Sequence, residues 1–120
     1  MATGDPTRVL VVDDDPQIRR ILERALQKLQ VEAMVVGDGE SAAAALRDGG
    51  FTLVLIDMHL RGELGREVSL RLRALQAIPP RFVCVSGSIS GPDGGDDAFD
   101  GFDSKPATVD ELRELIGRWA

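Results

Sequence analysis

The 120-residue chain has one cysteine, one histidine and a deficit of positive charge. It also has no apolar run close to the roughly 20 residues a membrane span needs. With Cys84 alone no intrachain disulfide forms, and its place in the apolar run Phe82 to Val85 marks it as a small buried hydrophobe. One histidine and one cysteine are too few for a nitrogen and sulfur zinc site. The 14 basic residues are outnumbered by 20 acidic ones, giving a net charge of -6 and a pI near 4.7. A nucleic acid or an anionic membrane would be repelled over most of such a surface, so neither is an expected partner. Met1 to Arg8 lacks the apolar centre of a secretion signal, which points to a cytoplasmic protein, with residues 1–7 as a flexible lead-in.

What the chain does have is a set of short apolar runs that end in charge. Leu53, Val54, Leu55 and Ile56 read as a strand buried on both faces that delivers Asp57 to its own end. Val9 to Val12 reads the same way and runs into Asp13, Asp14 and Asp15; Pro16 then suits the first turn of a helix. In that helix Ile18, Ile21, Leu22, Ala25, Leu26 and Leu29 share one face, with Arg19, Arg20, Glu23, Arg24 and Lys28 on the other. Asp15 suits the helix cap, but three adjacent carboxylates exceed what a cap requires.

Further on, Glu32 to Val36 is a predicted strand and Glu40 to Arg47 a predicted helix stopped by Asp48, Gly49 and Gly50. After Asp57 the spacing predicts a loop over Met58 to Glu63. A helix over Leu64 to Leu75 follows, with Leu64, Val68, Leu72 and Leu75 on one face, ended by Pro79 and Pro80. Arg81 to Val85 is a strand finishing at Ser86; Phe102 and Asp103 form a minimal strand before Lys105 and Pro106. The last helix starts at a Thr108 cap, with Val109, Leu112, Leu115, Ile116 and Trp119 as its apolar stripe.

Strands alternating with helices at this spacing predict one domain over 1–120. Its fold is α/β: a flavodoxin-like, doubly wound sheet of five parallel strands in the order 2-1-3-4-5. Such sheets bind ligands beyond the carboxyl ends of their strands, where the strand order reverses. Asp13 and Asp14, Asp57, Ser86 and Lys105 all fall at that rim. Three carboxylates brought close repel one another, and a hard divalent cation, Mg²⁺ or Mn²⁺, relieves this through all-oxygen coordination. With the hydroxyl of Ser86 and the ammonium of Lys105 opposite, the set suits phosphoryl transfer to a carboxylate nucleophile. Only Lys28 and Lys105 among the basic residues are lysines, so a compact point charge is kept where arginine is otherwise preferred.

These residues carry a resemblance. Val-Val-Asp13-Asp14-Asp15-Pro16, the apolar strand into Asp57 with Gly65 after it, the strand ending in Ser86 and the pair Lys105-Pro106 resemble the receiver domain of two-component response regulators, over essentially the whole chain. The resemblance implies a signalling receiver and not an enzyme. Asp57 would accept phosphate from a histidine kinase or phosphotransfer protein, and a downstream effector or a second copy of the domain would receive the signal. It implies Asp13, Asp14, Asp57 and the backbone carbonyl of His59 as metal ligands, Ser86 as the switch hydroxyl and Phe102 as the switch aromatic. His59 and Ser88 are candidates for tuning hydrolysis. The family's Lys-Pro peptide is usually cis. A receiver of this kind is part of a larger regulator, a stand-alone protein or a piece of a hybrid kinase.

Two departures stand out. Arg61 occupies a position where the family usually has proline. The stretch 87–101, Gly-Ser-Ile-Ser-Gly-Pro-Asp-Gly-Gly-Asp-Asp-Ala-Phe-Asp-Gly, stands where a fourth helix belongs, and its glycines each cost about 1 kcal/mol in a helix. Only Ile89, Ala98 and Phe99 could face a core there, so the fourth helix is expected to be degenerate or missing. Two other readings remain open at this point. Asp13-x-Asp15 with Ser86 is similar to the haloacid-dehalogenase phosphatases, although Gln17 and the placement of Lys105 depart from that pattern. A receiver-like interaction module that works without phosphorylation is the other.

Overall fold

The computed structural model describes residues 7–86 and 98–120. Strand β1 (Arg8–Val12) leads to helix α1 (Pro16–Lys28), then β2 (Glu32–Val36) and α2 (Gly39–Asp48). The central strand β3 (Leu53–Asp57) is followed by two short strands, β4 (His59–Leu60) and β5 (Glu63–Leu64), and by α3 (Gly65–Ala74). Strand β6 (Arg81–Ser86), strand β7 (Gly101–Ser104) and helix α4 (Val109–Trp119) complete the described chain. Five strands form one parallel sheet in the order β2-β1-β3-β6-β7, the predicted doubly wound arrangement.

The continuous apolar runs of β1, β3 and β6 have the composition of strands covered on both faces, and alternate residues enter two separate cores. Leu10, Val12, Val54, Ile56, Phe82 and Cys84 pack beneath α2 and α3 against Ala42, Leu46, Val68 and Leu72. Val9, Val11, Leu53, Leu55, Val83 and Val85 pack beneath α1 and α4 against Leu26, Leu112, Leu115 and Ile116. The predicted buried role of Cys84 holds.

Helix starts follow their caps. The Asp15 carboxylate accepts from the amides of Gln17 and Ile18, Asp38 accepts from Ser41, and Thr108 accepts from Glu111. Three local expectations need correction. The stretch after Asp57 is not an open loop, because β4 and β5 pair as an antiparallel hairpin whose turn is made by Arg61 and Gly62, the glycine at φ +75°. Helix α3 is shorter than predicted: Leu64 and Leu75 cap it and are half exposed, so only Val68 and Leu72 of the predicted stripe are buried. Ile21 is 61% exposed, since α1 turns only its Leu22, Ala25 and Leu26 side toward the sheet.

The Lys105–Pro106 peptide is trans, unlike the family habit. The expectations for residues 1–6, for Ser88 and Ile89, and for most of the missing fourth helix lie outside the described residues. Immediately after them, Ala98 and Phe99 are buried, as their apolar character predicts. Asp100 closes the turn by pairing with Phe82 twice: its amide donates to the Phe82 carbonyl at 2.7 Å, and its carboxylate accepts from the Phe82 amide at 2.8 Å.

Candidate phosphoacceptor and metal site

Register places the acids. Val12 pairs with Ile56, so the residues that follow, Asp13 and Asp57, emerge side by side where the strand order reverses. Ligand oxygens of Asp13, Asp14 and Asp57 lie within 4.8 Å of one another. Asp13 and Asp57 are buried at 3% and 8% exposure, while Asp14 is intermediate.

Every polar group of Asp13 in this corner is held. Its amide donates to the Val36 carbonyl at 3.0 Å, extending the β1–β2 ladder by one step. Its carbonyl accepts from Arg19 Nη1 at 2.9 Å, and its Oδ1 accepts from the Asp15 amide at 2.9 Å. Its Oδ2 lies 3.3 Å from Lys105 Nζ. Asp57 is held similarly, with Oδ1 accepting from the His59 amide at 3.2 Å and Oδ2 accepting from Lys105 Nζ at 2.8 Å.

Lys105 reaches the acids from the end of β7, because its amide donates to the Ser86 carbonyl at 3.0 Å and so continues the β6–β7 ladder. Burial acts to lower its pKa, but the hydrogen bond it donates to Asp57 and the charges of Asp13 and Asp57 outweigh it and hold the ammonium above its ordinary value. The predicted convergence of Asp13, Asp14, Asp57 and Lys105 is therefore present in the fold.

Of the remaining predicted residues, Ser86 is half-buried at the end of β6, and Phe102 on β7 is partly buried. The Phe102 ring meets Phe99 edge-on, 5.2 Å between centroids and 69° between planes. The side chain of His59 is exposed on the hairpin. Asp15 does not join the cluster, since its carboxylate caps α1; an Asp-x-Asp pair with both acids in one site, as the phosphatase reading would require, is not formed.

Three groups escaped the sequence reading. Glu63 accepts from the Gly39 amide at 3.3 Å and pairs with Arg71 at 3.0 Å, tying the hairpin after Asp57 to α2 and α3. Periodicity places Arg19 on the solvent face of α1, but it registers direction and not the length of a side chain that reaches back along the helix to the Asp13 carbonyl. The Asp15 amide binds Asp13 through a bond between near neighbours that only the turn geometry reveals.

Three carboxylates facing a single ammonium are two in excess, and all donors are oxygens, so the set fits a hard divalent cation. The geometry defines an acidic rim whose two buried carboxylates, Asp13 and Asp57, share one lysine. Among known families, the response regulator receiver domain matches residues 9–117, and the chain belongs to that family. Members of this family are signalling modules.

Among curated proteins, the chain is 36% identical over 110 residues to the transcriptional regulatory protein TcrA of Mycobacterium tuberculosis, covering 88% of this chain and 42% of that protein. It is 37% identical over 113 residues to the sensory transduction protein RegX3 of Mycolicibacterium smegmatis, covering 93% of this chain and 48% of that one. The chain thus spans less than half the length of these relatives. Among solved structures, it is similar to the response regulator TrrA of Thermotoga maritima in complex with Mg²⁺-BeF. The TM-score is 0.80 at 28% identity, over 95% of this chain and 99% of that one. TrrA in complex with the histidine kinase ThkA gives a TM-score of 0.79 at 30% identity, over 94% and 97% of the two chains.

Proposed function

We propose that the chain is a single receiver domain that takes a phosphoryl group onto Asp57 from a histidine kinase or phosphotransfer protein and passes the signal to a downstream effector or a second copy. The observation that supports this most is the position of Lys105 Nζ between Asp57 Oδ2 and Asp13 Oδ2, with an Asp14 carboxylate oxygen close to both acids. One oxygen of Asp57 forms a bond to phosphorus as the donor's phosphorus–nitrogen bond breaks; the electron pair of that bond stays on the departing imidazole nitrogen, which takes its proton from water.

Each residue has a part. Asp13, Asp14, Asp57 and the His59 carbonyl would hold Mg²⁺, with Mn²⁺ as a substitute. The ion supplies neutralisation of the oxygens around phosphorus as charge builds there. The His59 amide orients Asp57 through Oδ1, and Lys105 holds an oxygen of the incoming group. Ser86 moves toward the new acceptor oxygens and Phe102 shifts with it, biasing two pre-existing arrangements of the domain.

A partner has somewhere to sit. An open groove of about 420 Å³ between α1 and α4 is lined by Ile21, Leu22, Pro106, Val109 and Leu112, with Arg24 and Lys28 at its edge. This supports docking of a kinase or phosphotransfer partner next to Lys105, and the solved complex of TrrA with a histidine kinase supports a kinase as the partner.

Incubation with Mg²⁺ and a small phosphodonor tests the reading by intact mass. The wild-type protein should gain one phosphoryl group, and Asp57→Asn none. Equal gain in both would overturn the assignment of Asp57, and no gain in either would favour an interaction module that works without phosphorylation.

A further inference from the structure

Arg19 stands one carbonyl away from the acidic rim, and its guanidinium bridges two loops. Its Nη1 donates to the Asp13 carbonyl at 2.9 Å. The same group lies over Gly37, where an added Cβ would stand 2.7 Å from Nη1 and 3.1 Å from the guanidinium carbon. It is also among the groups that lower the pKa of Asp38, behind the hydrogen bonds from Ser41 and Glu40. The guanidinium therefore joins the β1–α1 loop that bears the acids to the β2–α2 loop beside it.

We propose that Arg19 is a positioning residue for the metal-binding acids, holding the Asp13–Asp14 peptide so that Asp14 presents its carboxylate toward Asp13 and Asp57. The inference rests on the reading of Asp13, Asp14 and Asp57 as the cation site. A peptide unit is planar, so fixing the carbonyl of Asp13 also fixes the direction of the Asp14 amide and the start of Asp14 itself. Asp14 needs this most, because it is the most exposed of the three acids, whereas Asp13 and Asp57 are already held by Lys105. Partners of this kind, one bond removed from the ligands, commonly govern metal affinity.

Position and charge predict opposite signs, which makes the inference decidable. A guanidinium close to a cation site repels the cation, so if Arg19 acts only through its charge, removing it tightens Mg²⁺ binding. If it acts through the Asp13 carbonyl, removing it weakens binding. Arg19→Met keeps the apolar stem and removes both the charge and the donor. Gly37→Ala keeps the charge and displaces the guanidinium, the movable end of a flexible chain, from its seat.

Calorimetric titration with Mg²⁺ of the wild type and both variants, together with amide exchange at Asp14 and Asp15 in the absence of metal, reads both effects. Positioning predicts Mg²⁺ binding weakened about ten-fold in each variant and faster exchange at these amides. Unchanged or tighter binding in Arg19→Met overturns the inference while leaving the cation site intact. Should that variant fail to fold by circular dichroism, Gly37→Ala decides alone: weaker binding supports the inference and wild-type affinity overturns it. A wild type that binds no Mg²⁺ overturns the cation site, and the inference with it.

Discussion

Gly65 lies against the carbonyl oxygen of Asp57 so closely that no side chain fits between them. An added Cβ would collide with that oxygen and stand 3.0 Å from both the Cα and the carbonyl oxygen of Met58. Its own amide donates to the Met58 carbonyl at 2.7 Å, so α3 starts directly on the backbone that carries Asp57. The neighbouring atoms are main chain and have little room to yield. Gly65→Ala should therefore cost at least the 1–3 kcal/mol of ordinary overpacking, about that or more, in urea unfolding. It should also slow phosphoryl uptake, because Asp57 must shift. A variant with wild-type stability would contradict this contact.

Lys105 gives a pH signature. Its folded pKa is raised, so its contribution to stability is fully present below the ordinary lysine value of 10.5 and is lost as pH rises through the folded value. The difference in melting temperature between wild type and Lys105→Met should be flat up to about pH 10 and narrow above it. A difference that stays constant to the alkaline limit would show that the ammonium does not depend on Asp57 and Asp13.

Asp38 should show the opposite dependence. The hydrogen bond from the Ser41 amide, at 2.7 Å, is the main cause that lowers its pKa below the ordinary 3.8. Its stabilisation is present above that value and disappears as pH falls through the folded one. Asp38→Ala should cost about 1 kcal/mol near neutrality and progressively less in acid, as followed by thermal unfolding. Asp38→Asn retains the acceptor and should recover most of the loss at neutral pH.

The far end of α4 is fastened to β7 on both sides of Phe102. The Trp119 ring fills the space over Gly101, its Nε1 donates to Asp103 Oδ2 at 3.1 Å, and Arg118 pairs with the same carboxylate. Trp119→Phe removes one hydrogen bond and the outer ring over Gly101 and should cost about 1 kcal/mol or more, while Gly101→Ala displaces the ring and should also destabilise. Urea midpoints that fall with unchanged slopes would confirm both.

Much of this was legible because strands covered on both faces leave unbroken apolar runs, and those of β1, β3 and β6 each end at a site residue or its neighbour. The sheet order and the meeting of Asp13, Asp14, Asp57 and Lys105 follow from such runs plus the right-handed crossovers between them. Detail was lost where a residue's role depends on a partner distant in sequence. The tie of Glu63 to Gly39 and the doubled bond of Asp100 to Phe82 have no local pattern. Apolar periodicity also overstated burial at Ile21, Leu64 and Leu75, which lie at groove and helix ends where the stripe runs past the sheet.

The chain has one tryptophan and no tyrosine, and that tryptophan is bonded to a residue adjacent to Phe102. Light absorbed at the red edge of the protein's ultraviolet band thus enters through a single indole whose nitrogen touches a carboxylate on β7. A movement of that strand should register as a change in emission colour or lifetime, so the unlabelled domain carries its own gauge of any such movement.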